Sequence, residues 1–81
     1  MSADETTDRV RIVLARALKI DPKAIAADAS QTNLSEWDSV RHMNVIIGLE
    51  NEFGIEFEDA ELPGLTSVSL LVAAVRRRTA A

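Results

Sequence analysis

The sequence predicts an all-α protein, a small helical bundle of three main helices plus one short helix. Two observations carry that expectation. Val10, Val13, Leu14 and Ala17 recur at i, i+3, i+4 and i+7, and Val68, Leu71, Val72 and Val75 repeat the spacing. Each set gives a helix one apolar face. Between them, Val45-Ile46-Ile47 would pass for a strand in isolation, but the surrounding periodicity is helical and no partner strand is visible. Eighty-one residues make a single domain, 1–81, with an ordered core expected over about 4–78.

The first helix is predicted from about Asp4 to Leu18. Asp4, Glu5 and Asp8 lie near its start and Lys19 at its end, as the helix dipole prefers. Asp21-Pro22 breaks the pattern. A long connection follows, from Ile20 to Asp38, with Ile25, Leu34 and Trp37 as its expected anchors in the core. A loop of that length in so small a domain often marks function. The second helix should run from Ser39 to Phe53, with Gly54 as the residue that ends it. Glu56 to Leu62 should form the short helical piece, stopped by Pro63-Gly64, and the last helix should start near Ser67. Arg76, Arg77 and Arg78 complement the dipole at its far end.

Composition narrows the function classes. A domain this small has a modest core and no room for a deep catalytic cavity, so carrying or binding is favoured over catalysis. There is no cysteine, which excludes disulfides and thiolate metal sites. No apolar run approaches a membrane span, and Met1-Ser2-Ala3-Asp4-Glu5 does not resemble a signal peptide, so a cytoplasmic location is expected. The formal net charge is −4, unevenly spread. From Asp28 to Glu61 there are nine acids and one base, Arg41, a local charge of −8. Such a segment repels nucleic acid and attracts basic protein surfaces.

On a helical wheel the second helix carries two apolar stripes. His42, Val45, Ile46, Leu49 and Phe53 form the longer one, the better core candidate. Val40, Met43 and Ile47 form a second stripe, bordered by Asn44, Glu50 and Asn51. It is either further core or an exposed docking face, and the polar border favours docking.

Ser39 opens this helix, where orphan backbone N–H groups and the positive dipole end would suit an attached phosphate. Three roles are open to it. It can be a plain helix-start residue. It can be a nucleophile, which needs a base in reach; the single imidazole, His42, lies three residues on and on the core stripe. There is no Gly-x-Ser-x-Gly elbow and no glycine-rich phosphate loop. Or it can be a modification site that presents its hydroxyl to a partner enzyme.

The residues Glu36-Trp37-Asp38-Ser39-Val40, followed at helical spacing by Leu49-Glu50-Asn51-Glu52-Phe53-Gly54-Ile55, resemble the acyl carrier and peptidyl carrier proteins. The resemblance spans roughly Asp8 to Val75 and includes Glu58-Asp59-Ala60-Glu61 and the Thr66-Ser67-Val68 lead-in to the last helix. It implies an acyl-carrier-like helical bundle, and a covalent 4′-phosphopantetheine arm on Ser39, donated by coenzyme A as the serine attacks its β-phosphate. Asp38 would assist the modification or simply cap the helix. The protein would catalyse nothing and would hold acyl or aminoacyl groups as thioesters. Its implied partners are a phosphopantetheinyl transferase, an acyl- or aminoacyl-loading ligase or transferase, and synthase or condensing enzymes with basic patches. They would dock on Val40, Met43, Asn44, Ile47, Glu50 and Asn51. A freestanding monomer is expected, without nucleic acid or metal. Several residues depart from the fatty-acid type: Val40 follows the serine in place of leucine, Trp37 precedes the pair, and Arg41, His42 and Asn44 make the helix start less acidic. Trp-Asp-Ser is more similar to carriers of polyketide, peptide or aminoacyl assembly than to those of fatty acid biosynthesis. The alternative is a helical interaction module without an arm, its second stripe forming a partner groove.

Overall fold

A computed structural model describes residues 3–26 and 28–79, with side chains from Glu5 onward. Met1 and Ser2, the first residues of the acidic N-terminal run, and the side chain of Asp4 lie outside the described residues. Three α-helices form: α1 (Ala3–Leu18), α2 (Ser39–Phe53) and α3 (Val68–Thr79). Two short 3₁₀ helices sit in the connections, at Pro22–Ala24 and Asp59–Gly64. No strand forms among the described residues, and Val45 to Ile47 are helical.

The predicted faces are the buried ones. Val10, Val13 and Leu14 of α1, Val45, Ile46 and Leu49 of α2, and Val68, Leu71, Val72 and Val75 of α3 are all buried in one cluster. Ala17 and Phe53 are only partly buried. Phe53 lies at the last turn of α2, where the Arg9 guanidinium covers its ring at 4.4 Å. α1 packs chiefly against α2 and next against α3.

The helix ends follow backbone chemistry. Gly54 is left-handed (φ 65°), and the Ile55 N–H donates to the Glu50 carbonyl at 3.1 Å, closing α2. A Cβ there meets open space, so Gly54→Ala should cost only the left-handed backbone penalty, about 1–2 kcal/mol, read as a lowered urea midpoint at unchanged m-value. α1 ends the same way without glycine. Lys19 has φ 61°, with Lys19 N–H to Arg16 O at 3.3 Å and Ile20 N–H to Ala15 O at 3.0 Å. Lys19 is therefore the left-handed residue past the helix rather than part of its last turn.

The short helix differs from the expected Glu56–Leu62. It starts later and runs through Pro63. Its start is fixed by the Glu58 N–H, which donates to the Glu61 carboxylate at 2.8 Å. Proline is accommodated because the bonds at the two ends, Glu61 N–H to Glu58 O and Leu65 N–H to Leu62 O, require no N–H from it. α3 begins at Val68, with the Ser67 hydroxyl accepting from the Leu70 N–H at 3.2 Å.

The long connection is anchored as expected by Ile25 and Trp37, both fully buried, and by partly buried Leu34. It is also stapled to the start of α3. Gln31 N–H donates to Thr66 O at 3.0 Å and Val68 N–H to Ala29 O at 2.9 Å, around an isolated Ser30–Ser67 bridge. The loop thus approaches α2 with its path already constrained on both sides.

Candidate functional site at the start of the second helix

Asp38 is the N-cap of α2. Its backbone is extended (φ −107°, ψ −177°), and its carboxylate accepts from the Arg41 N–H at 2.8 Å. The Arg41 guanidinium returns to the same side chain at 3.6 Å and donates to the Glu36 carbonyl at 3.2 Å. Ser39 is therefore the first helical residue and not the cap. It is exposed, and its hydroxyl makes no hydrogen bond among the described residues. The helix-start role expected of a plain serine has passed to its neighbour, which leaves the Ser39 oxygen free beside the unpaired first-turn N–H groups.

The geometry removes the nucleophile–base reading. His42 is 8 % exposed, and both ring nitrogens are used. The Trp37 indole N–H donates to Nδ1 at 3.0 Å, and Nε2 lies 2.9 Å from the Leu62 carbonyl. An indole only donates and a carbonyl only accepts, so the ring proton sits on Nε2. No lone pair is left for Ser39.

The second stripe of α2 lies in solvent: Val40 is 80 %, Met43 47 % and Ile47 50 % exposed. Of the two alternatives, further core or an exposed docking face, the exposure of all three side chains removes the core reading. Asn44 and Asn51 flank it, exposed, on the edge of a cleft of about 380 Å³ between α1 and α2, floored by Val13, Ala17 and Gly48. Glu50 is placed differently. It is half-buried and accepts from the Phe57 N–H at 2.9 Å, fixing the chain after Gly54.

The acidic segment is also partly neutralised, by the basic ends and by its own Arg41. Glu52 is bridged by Arg9 at 3.0 Å, Asp38 by Arg41, and Glu61 by Arg77 and Arg78. Arg78 also donates to the Glu56 carbonyl at 2.7 Å and lies over the Phe57 ring at 5.1 Å. Asp28, Glu36, Glu50, Glu56, Glu58 and Asp59 take part in no ion pair among the described residues. The Arg9–Glu52 and Arg78–Glu61 pairings join residues 43 and 17 positions apart, beyond any local spacing signal.

The second helix of the bundle thus begins with an exposed serine whose hydroxyl is unbonded among the described residues, flanked by an exposed apolar strip. The phosphopantetheine attachment site family model matches residues 8–75. An acyl carrier protein of Thermosynechococcus vestitus is 30 % identical over 81 residues, covering 100 % of both chains. Acyl carrier protein 2, mitochondrial, of Arabidopsis thaliana is 35 % identical over 72 residues, which are 89 % of this chain and 57 % of that relative. The solution structure of holo acyl carrier protein from Geobacter metallireducens superposes with a TM-score of 0.80 at 29 % identity, over 93 % of this chain and 86 % of that one. The chain belongs to the phosphopantetheine-carrying acyl carrier protein family: it is a non-catalytic carrier that holds 4′-phosphopantetheine covalently. An arm-free interaction module is not favoured. No described helix is long and apolar enough to cross a membrane.

Proposed function

We propose that Ser39 is the residue that bears the arm. The observation that carries this is the division of labour at the start of α2: Asp38 caps the helix, and the Ser39 hydroxyl is left exposed and unbonded. The site fits the group. A phosphodiester on Ser39 would sit where backbone N–H groups lack intrahelical partners and the dipole favours an anion. When bound, the arm supplies a thiol on which acyl or aminoacyl cargo rides as a thioester. The chain's own task is to present the oxygen and dock the enzymes that use it. Asp38 holds the junction and stands beside the reacting oxygen, where it assists the modifying enzyme.

In this reading residues 1–81 act as one monomeric carrier domain in the cytoplasm, without nucleic acid. The docking face is Val40, Met43 and Ile47 with Asn44 and Asn51; Glu50 contributes charge at its edge. Its partners are a phosphopantetheinyl transferase, an acyl- or aminoacyl-loading ligase or transferase, and condensing or synthase enzymes with basic patches. The Trp37-Asp38-Ser39 junction and the weakly acidic start of α2 support a specialised polyketide, peptide or aminoacyl pathway over fatty acid biosynthesis. Incubation with coenzyme A and a broad-specificity transferase, followed by intact mass and peptide mapping, tests the assignment. One added group on the Ser39 peptide supports it, and a group on any other residue ends it.

Association with the transferase should be electrostatically assisted by the unpaired acids. Exposed charges are screened over about 8 Å at physiological salt, so the modification rate should fall as ionic strength rises. Glu58→Lys combined with Asp59→Lys should flatten that dependence, since both side chains are exposed and outside the ion pairs. A rate indifferent to salt in the unaltered protein would count against charge-guided docking. Glu50→Lys is a poor probe, because it also breaks the bond to the Phe57 N–H.

A further inference from the structure

We propose that His42 is a positioning residue for the modification of Ser39, acting through a buried Trp37–His42–Leu62 hydrogen-bond chain. The inference rests on Ser39 being the attachment point. Ser39 lies between the two ring-bearing residues, two positions after Trp37 and three before His42. The indole-to-imidazole bond of 3.0 Å therefore closes a loop of chain around it. Trp37 is 1 % exposed and the largest fully buried side chain among the described residues. Its N–H has no water to turn to, and the His42 Nδ1 is the acceptor it finds. The two rings lie 5.9 Å apart, tilted by 32°.

The backbone repeats the closure. Trp37 N–H donates to Leu34 O at 3.0 Å, and His42 N–H donates to Asp38 O at 2.9 Å, the first bond of α2. On its other side the His42 ring reaches the Leu62 carbonyl of the acidic 3₁₀ helix at 2.9 Å. One imidazole thus joins the loop before Ser39, the helix that begins with it, and the short helix across the bundle. An exposed serine at a loop–helix junction has no contacts of its own to fix its direction. Here that direction is set from beneath, by a side chain that never touches the reacting oxygen. Because reaction requires the attacking oxygen to be held in line, a looser junction should lower turnover more than docking. The docking strip of Val40, Met43 and Ile47 points to solvent and does not share this chain.

The test compares His42→Gln, His42→Leu and Trp37→Phe with the unaltered protein in steady-state transferase kinetics. The glutamine carboxamide both accepts and donates, so it can bridge Trp37 and Leu62. Leucine can do neither. His42→Leu and Trp37→Phe should lower kcat roughly tenfold with little change in KM. His42→Gln should stay within about threefold of the parent. A second measurement needs no variant. Nitrogen-15 shifts of His42 should show a proton on Nε2 and none on Nδ1, with the Trp37 indole N–H exchanging slowly; the opposite tautomer overturns the proposal even if a variant fails to fold. Equal rates for all four proteins, or glutamine as slow as leucine, also overturn it. Modification of the unaltered protein elsewhere than Ser39 removes the attachment reading and this inference with it, whereas normal Ser39 labelling with insensitive variants removes this inference alone.

Discussion

Ser39→Ala should abolish the gain of phosphopantetheine while leaving the helical content and urea midpoint of the protein unchanged. The chemical half of the expectation is all-or-none, because alanine offers no oxygen to esterify. The structural half follows from what the hydroxyl does not do. It caps nothing, since Asp38 holds that role through the Arg41 N–H, and alanine is the best helix former for an exposed first-turn position. Asp38→Ala should instead affect both, with a loss of about 0.5–2 kcal/mol from the missing cap and a slowed but not abolished modification of Ser39.

The other described serines sharpen the result. The Ser30 hydroxyl is paired with Thr32 at 2.7 Å, Ser35 reaches Glu36 at 3.5 Å, and Ser67 accepts from Leu70 N–H and contacts Ser69 at 3.3 Å. Each is engaged in a turn or a cap. Ser39 is the described serine whose oxygen is left over. Circular dichroism, denaturation and intact mass on Ser39→Ala check both halves. Residual modification of that variant, located by peptide mapping, would show that another hydroxyl carries the arm.

The three helices and their buried faces were legible because each is written locally. The i, i+3, i+4, i+7 repeats of α1 and α3 and the longer stripe of α2 need only neighbours along the chain to be read. Gly54 was legible for the same reason: one residue type suits a left-handed end. What escaped was long-range or conformationally unusual. Lys19 takes the left-handed conformation without being glycine. The staple between Ala29–Gln31 and Thr66–Val68 is made by backbone groups, which leave no trace in residue type. The bridging of Glu52 by Arg9 and of Glu61 by Arg78 depends on how the helices cross. At the site, the sequence marked Ser39 and its exposed strip, yet did not separate the cap from the first helical residue. It placed His42 on the core stripe correctly but held no sign of the two bonds that make a buried imidazole tolerable there. Among 81 residues the one histidine and the one tryptophan meet, and their spacing of five is not a pattern that predicts a bond.

Leu49→Ala and Ile47→Ala should separate stability from recognition within one helix. Leu49 is 0 % exposed, in contact with the core that α1 and α3 share, whereas Ile47, two residues earlier, is 50 % exposed. Removing a buried leucine loses its transfer free energy and leaves a cavity, together about 2–5 kcal/mol. Small domains hold only about 5–15 kcal/mol in all, so Leu49→Ala should drop the urea midpoint sharply or unfold the protein at room temperature. Ile47→Ala removes a side chain that water already half covers, and the change should stay within about 0.5 kcal/mol. Its effect should fall on the partner. An apolar anchor near the centre of an interface commonly contributes more than about 1 kcal/mol, which corresponds to roughly a fivefold loss in kcat/KM with the transferase or a loading enzyme. Because docking and not the orientation of Ser39 is impaired, that loss should sit in KM, the opposite of the expectation for His42→Leu. Urea titration and transferase kinetics on both variants make the comparison. If Ile47→Ala leaves kcat/KM untouched while Leu49→Ala destabilises as expected, the strip is free surface that partners do not use. Docking must then fall on the loop before Ser39 or on the unpaired acids Glu56, Glu58 and Asp59.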